Sequence, residues 1–434
     1  MKSAIEILFL LSFLVSFYTL GRKSLSYILV SSIIYLLFSD YIFYKLGYKL
    51  GEISFGKLFI DINFLILFSF YALEFISGAG KVKKFDLLFL GSLFFSILLL
   101  IYGAANNGFV AAVNGWRSLY LFIFMGWLIA FLSKQPNNLL KTTFNTVILV
   151  CLINSIYSIY EYVFFNGNYT DLWRYNLLLE AKQSNNADYI ERFLQYQVMR
   201  GSELRSSGFF VSTLASGFFS ALASILVTNR IINYKLNFSS ICYGAILFLF
   251  LLSIYVSQVR TAFVIYFLAL LLAYLSKFYR INKTCFVAYV FCLPFLVLTA
   301  GVIFKGSLDA SSVGRIFQYQ SLLNDFSVLG AGLGGHVGKF DSFYIYSFVD
   351  LGVFSILLFW LFIKYYDYLP ISKFDYLTTE GKNIPIIQGA YLTFFPVLTV
   401  QHVASSLYYF SIIILVSLIS KEHIEKNNNE KFFK

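Results

Sequence analysis

Charge is what this chain has little of. Only 13% of its 434 residues are charged, while 59% are hydrophobic and 20% aromatic. A soluble domain of that length needs far more charge to cover its surface. Metal-ligand spacing is equally sparse. The four cysteines, Cys151, Cys242, Cys285 and Cys292, all lie in apolar runs with neither a zinc pattern nor a disulfide framework, and they read as buried, inert thiols. No HExxH, GxSxG or paired acidic motif occurs, which favours chemistry that needs no metal and no cofactor. The formal charge of +11 invites a nucleic-acid partner. The basic residues are spread over short hydrophilic connections, however, which is the positive-inside bias of a membrane protein, so no nucleic acid is expected.

Long apolar runs are there instead. They recur at 3–20, 24–44, 58–77, 85–104, 117–133, 142–165, 208–228, 238–257, 261–276, 284–304, 342–363, 384–401 and 403–420. Each is near the length that crosses a bilayer, and the runs are continuous rather than alternating, which argues for helices and against a barrel. The fold class expected is all-α: a polytopic transmembrane helix bundle of about 12–13 spans. It forms one integral membrane domain over 1–420, followed by a disordered cytoplasmic tail at 421–434. The first run has no small-residue cleavage site and reads as a retained helix. Lysine and arginine in the connections, among them Lys81, Lys83, Lys84, Lys134 and Lys141, set the orientation; Lys45, Lys49 and Lys57 are the exception. Two long connections, 166–207 and 305–341, then share the outward face. A short amphipathic helix is expected at about 186–199 in the first of them.

Three arginines stand at this outward edge: Arg205 in RSSGFFVSTLASG, Arg260 in SQVRTA and Arg315 in SVGRIFQYQ. A guanidinium at a membrane surface grips phosphate through two parallel hydrogen bonds and stays charged, so three of them would suit a diphosphate. Taken singly, each equally reads as a snorkelling interfacial residue. The run GAGLGG, Gly330 to Gly335, lacks the Gly-Lys-Ser/Thr of a Walker loop. It reads as a hinge centred on Gly332 and Gly334, as a close backbone approach to a ligand, or as a turn back to the membrane. His336 and Asp341 bracket its end, and either could take a proton from a sugar hydroxyl. Asp341 also has the position of a helix N-cap. Asp350, within an apolar run, is a functional acid or a partner for an arginine; Glu161, Asp61 and Glu74 read as structural pairings.

The order of these pieces resembles the O-antigen ligase/polymerase superfamily: Arg205 followed by Gly and Phe, then SQVRTA, then GRIFQYQSLLNDFSVLGAGLGGHVGKFDSFYIYSFVDLG. The resemblance covers about 150 residues, and it implies a GT-C-like bundle with two long periplasmic loops in the bacterial inner membrane. It further implies that Arg205, Arg260 and Arg315 engage the diphosphate of an undecaprenyl-diphosphate-linked oligosaccharide. The activity implied is that of a Wzy-type O-antigen polymerase of lipopolysaccharide biosynthesis, a metal-independent glycosyltransferase with Asp341 or His336 as catalytic residues. A chain-length regulator protein is the further partner of such enzymes. Ligases of the group carry histidine followed by Asn or Ser where this chain has Asp341 and Ser342, which favours the polymerase. An O-antigen ligase and a transporter or flippase for lipid-linked oligosaccharide remain the alternatives.

Overall fold

The computed structural model describes residues 25–47, 58–77, 84–166, 168–182, 198–200, 202–233, 238–276, 282–303, 310–336, 339–367, 384–400 and 407–432. The expected span 3–20, the basic connection 48–57, Gly338 and His402 lie outside them. Of the described residues, 86% are helical. In order the helices are α1 (Leu25–Lys45), α2 (Leu58–Ile76), α3 (Lys84–Asn107), α4 (Phe109–Trp116), α5 (Phe122–Leu132) and α6 (Pro136–Phe165). There follow α7 (Trp173–Lys182), α8 (Thr213–Asn233), α9 (Phe238–Val256), α10 (Arg260–Ser276), α11 (Lys283–Ile303) and α12 (Ala310–Asp325). The last are α13 (Phe343–Leu351), α14 (Ser355–Asp367), α15 (Ile384–Val400) and α16 (Leu407–Phe432). A π-helical turn, Arg117–Leu121, joins α4 to α5 without a break. The only sheet among the described residues is a two-stranded hairpin, β1 (Met199–Arg200) against β2 (Glu203–Leu204).

Seven helical segments among the described residues are long and apolar enough to cross a membrane: 25–45, 58–76, 86–107, 109–132, 136–165, 213–232 and 343–366. Five shorter apolar helices accompany them. In such surroundings a single segment satisfies its own backbone hydrogen bonds only as helix, which is why the continuous apolar runs of the sequence became these elements.

Three expectations need correction. The connection 305–341 is not all loop, because α12 occupies 310–325 with Ile316 and Tyr319 buried on one face. The amphipathic helix expected at about 186–199 falls almost wholly on 183–197, outside the described residues; the described parts of the connection 166–207 hold α7, at 173–182, and the hairpin at 199–204. The tail is helical to Phe432, not disordered. Extending a helix already nucleated by the apolar run 407–420 costs little for residues such as Lys, Glu and Ile. Of the cysteines only Cys151 is buried; Cys242, Cys285 and Cys292 lie on exposed faces of apolar helices.

The chain divides into two compact units. The first comprises 1–68, 138–271 and 406–411. Here α1 meets α2 through Asn63, whose amide donates to Ser32 at 3.1 Å, and through Tyr35 stacked on Phe59. Small residues let α8 approach its neighbours closely: Ser220 shares a hydrogen bond with Ser253 of α9, and a Cβ at Gly217 would lie 2.9 Å from Val259.

The second unit comprises 69–137, 272–405 and 412–434. Buried tyrosines tie its helices together, because a phenol in an apolar interior is stabilised by finding an acceptor. Tyr344 donates to the Val290 carbonyl at 2.9 Å, Tyr289 to Leu392 at 2.8 Å, Tyr391 to Phe362 at 2.7 Å and Tyr365 to Ile123 at 2.8 Å.

Candidate functional site

In the first unit the polar centre is the turn Arg205–Phe210. Its geometry starts on α6, where Asn154, Ser158 and Glu161 are spaced four and three residues apart and so share one helical face. Glu161 is fully buried. Its Oε2 accepts from the Ser206 hydroxyl at 2.8 Å, the Ser207 amide at 3.2 Å and the Gly208 amide at 2.9 Å. Asn154 Oδ1 accepts from the Phe209 amide at 2.9 Å. From the other side Arg174, in the first turn of α7 and 1% exposed, donates to the Ser207 hydroxyl and to the Arg205 carbonyl. Trp173 donates to the Gly208 carbonyl at 3.2 Å. Gly208 has φ +64, and a Cβ there would stand 2.5 Å from Asn154 Oδ1, so only glycine fits. Burial lowers the Arg174 guanidinium from its ordinary value, and the neighbouring charge of Glu161 works against that shift.

The same turn is bonded to the one that carries Arg260. The Ser206 amide donates to the Val256 carbonyl at 2.9 Å, and Arg200 Nη1 donates to the Gln258 carbonyl at 2.9 Å. Gln258 is the one non-glycine residue with positive φ among those described, at 56°, a strained conformation that the surrounding contacts hold in place. Arg260 opens α10 and is exposed; Arg205 is half-buried. The two segments named from sequence, with Arg200 added, are therefore neighbours.

In the second unit the centre is the loop Ser327–His336. Its amides at Ala331 and Gly332 donate to the Val349 and Asp350 carbonyls, both at 2.9 Å, which satisfies acceptors that the end of α13 leaves open. Asn107, the last residue of α3, donates to the carbonyls of Ala331, Gly332 and Leu333 at 2.9, 3.1 and 3.3 Å. The glycines meet the protein's own backbone. A Cβ on Gly330 would lie 2.3 Å from the Asp350 carbonyl oxygen, and one on Gly334 would lie 2.2 Å from that of Ala111. Gly332 and Gly334, named as a hinge, both have φ +86 and sit in this packed wedge.

His336 leaves the wedge with its Nδ1 2.8 Å from Asp350 Oδ1. Asp350 Oδ2 accepts from the Gly334 amide at 3.0 Å, and the carboxylate is fully buried beside an imidazole that is 18% exposed. The partner of Asp350 is thus His336 rather than an arginine. A carboxylate on Nδ1 holds the proton there and leaves Nε2 as the acceptor. Asp341 does not join this pair. It is exposed; its amide donates to Gln318 Oε1 at 3.0 Å and its Oδ2 accepts from Gln318 Nε2 at 3.3 Å. The N-cap of α13 is Ser342, not Asp341, with its hydroxyl accepting from the Ile345 amide. Arg315 lies on α12 three residues before Gln318, one helical turn from the group that holds Asp341.

Glu161, Arg174, Arg200, Asn107 and Gln318 were missed as site residues. For Glu161 the signal was present: Asn154, Ser158 and Glu161 at helical spacing in an otherwise apolar run. No family model, no curated protein and no solved structure matches this chain.

Proposed function

We propose that the chain is a Wzy-type polysaccharide polymerase of the bacterial inner membrane. It would have about 12–13 spans, a GT-C-like arrangement and a site facing the periplasm. In this reading it transfers a growing glycan from undecaprenyl diphosphate to a hydroxyl of an incoming lipid-linked repeat unit. The hydroxyl oxygen bonds to the anomeric carbon, the bond from that carbon to the diphosphate oxygen breaks, and its electron pair leaves with the diphosphate. Charge therefore develops on the leaving group, where fixed guanidinium groups are most effective. The observation that carries the reading is the bonding of the Arg205 turn to the Arg260 turn, which puts Arg200, Arg205 and Arg260 on adjoining backbone. The resemblance also implies Arg315 as a diphosphate contact.

The acceptor proton goes to His336 Nε2 in this reading, with Asp350 stabilising the imidazolium that forms. Asp341, tied to Gln318, is the less suitable base. The histidine–carboxylate pair also favours one second reading, an O-antigen ligase, whose acceptor is lipid A-core. The test is extension of lipid-linked repeat units by the purified chain. Native protein is expected to build polymer, and His336→Ala and Arg260→Ala to lose ~100-fold or more in rate. Unchanged extension by either variant would remove the role given to that residue. Transfer only to lipid A-core would select the ligase.

A further inference from the structure

The turn Arg205–Phe210 is fixed far more completely than a connection between two helices requires. The Arg205 amide donates to the Val198 carbonyl at 2.8 Å and its carbonyl accepts from Arg174. The Ser206 amide is held by Val256, those of Ser207 and Gly208 by Glu161, and that of Phe209 by Asn154. The Gly208 carbonyl accepts from Trp173, and the Phe210 carbonyl accepts from the Ser207 hydroxyl at 2.5 Å. Two of these clamps, Glu161 and Arg174, are buried ionic side chains at 0% and 1% exposure. Burying such charges costs several kcal/mol each, and apolar side chains of similar volume would fill the space at less cost. Among the described residues, Glu161 Oε1 and Arg174 Nε have no hydrogen-bond partner, so the pair is not optimised for stability. What the pair does fix is geometry. Both ions bind backbone or hydroxyl groups of residues 205–208.

We infer that Glu161 and Arg174 are positioning residues that aim the Arg205 guanidinium at a diphosphate. Neither touches the ligand. Glu161 also occupies the Ser207 and Gly208 amides, which would otherwise form an anion nest of their own, so the anion is directed to side chains and not to the backbone turn. The inference rests on the diphosphate role proposed above for Arg205.

The test is calorimetric binding of inorganic pyrophosphate to the full chain in detergent. Native chain is expected to bind, and Arg205→Ala to bind ~10-fold more weakly. Arg174→Lys, which keeps the charge but lacks the planar fork whose two nitrogens reach Ser207 and the Arg205 carbonyl, is expected to weaken binding ~5-fold. In the Arg205→Ala background the same lysine substitution is expected to change nothing, since its effect passes through Arg205. A merely structural role would lower affinity equally in both backgrounds, and that result, or native affinity in Arg174→Lys, would overturn the inference. Ser207→Ala removes the hydroxyl that Arg174 holds and is the milder variant should the lysine chain fail to fold; it is expected to show the same dependence on Arg205. No binding by native chain would overturn the diphosphate reading together with this inference, whereas binding without coupling would overturn the inference alone. Repeating the series with a short prenyl diphosphate identifies the source. Tighter binding than pyrophosphate supports a lipid headgroup, and equal affinity would overturn the lipid as the recognised group.

Discussion

Two irregular segments carry the polar chemistry of this chain, and they are made rigid in opposite ways. The Arg205–Phe210 turn of the first unit is fastened by side chains, two of them buried ions. The Ser327–Gly335 wedge of the second is fastened mainly by what it lacks: its glycines let the backbone touch α3, α4 and α13 where any Cβ would collide. Removing a clamp should release the first segment, while adding a methyl group should be enough to break the second.

The largest effect is expected at the ionic clamp. Arg174→Ala leaves the buried Glu161 carboxylate without its neighbouring charge and should destabilise the chain by about 3–5 kcal/mol, read as a lowered melting temperature in detergent. A loss under 1 kcal/mol would mean that the turn does not depend on its ions. Next comes the wedge. Gly330→Ala combines a left-handed backbone with a clash against the Asp350 carbonyl and should cost about 2–4 kcal/mol. The comparison is Gly244→Ala in α9, where nothing lies within 4 Å and alanine is the better helix former, so stability should hold or rise by about 0.5–1 kcal/mol. Equal behaviour of the two alanines would remove the distinction. Smallest of the destabilising changes is Asn107→Ala, which strips three wedge carbonyls of a shared donor and should cost about 1–3 kcal/mol in the same measurement.

The same contrast explains what could be read in advance. Apolar runs announce helices by length, and the helices from α1 to α15 fall within a few residues of runs visible in the sequence, apart from α4, α7 and α12. Those three have too few consecutive apolar residues to stand out: α12 reads as a polar loop because polar residues such as Gln320 and Asn324, both exposed, interrupt its apolar ones. The wedge was visible as GAGLGG, since glycine is its own signal. Its contact surface was not, because the matching gaps are single residues, Gly103 and Gly115, more than 200 positions earlier. Arg205 and Arg260 were legible as costly charges at an apolar edge. Arg174 was not, because among the many polar residues of 166–207 nothing in the sequence marks it for burial. His336 and Asp350 were each noticed, but a separation of fourteen residues across a glycine turn gave no reason to pair them.

The π-helical turn at Arg117–Leu121 has its own effect on the span 109–132. One residue more per turn advances everything after it by roughly a quarter of a revolution relative to an unbroken α-helix. The stripe that begins with Ala112, Gly115 and Trp116 therefore does not continue in phase, and from Leu119 to Ala130 every residue is enclosed. A single apolar rod thus changes partner midway, offering one glycine gap, at Gly115, to a wedge at one end and a collar of large side chains at the other.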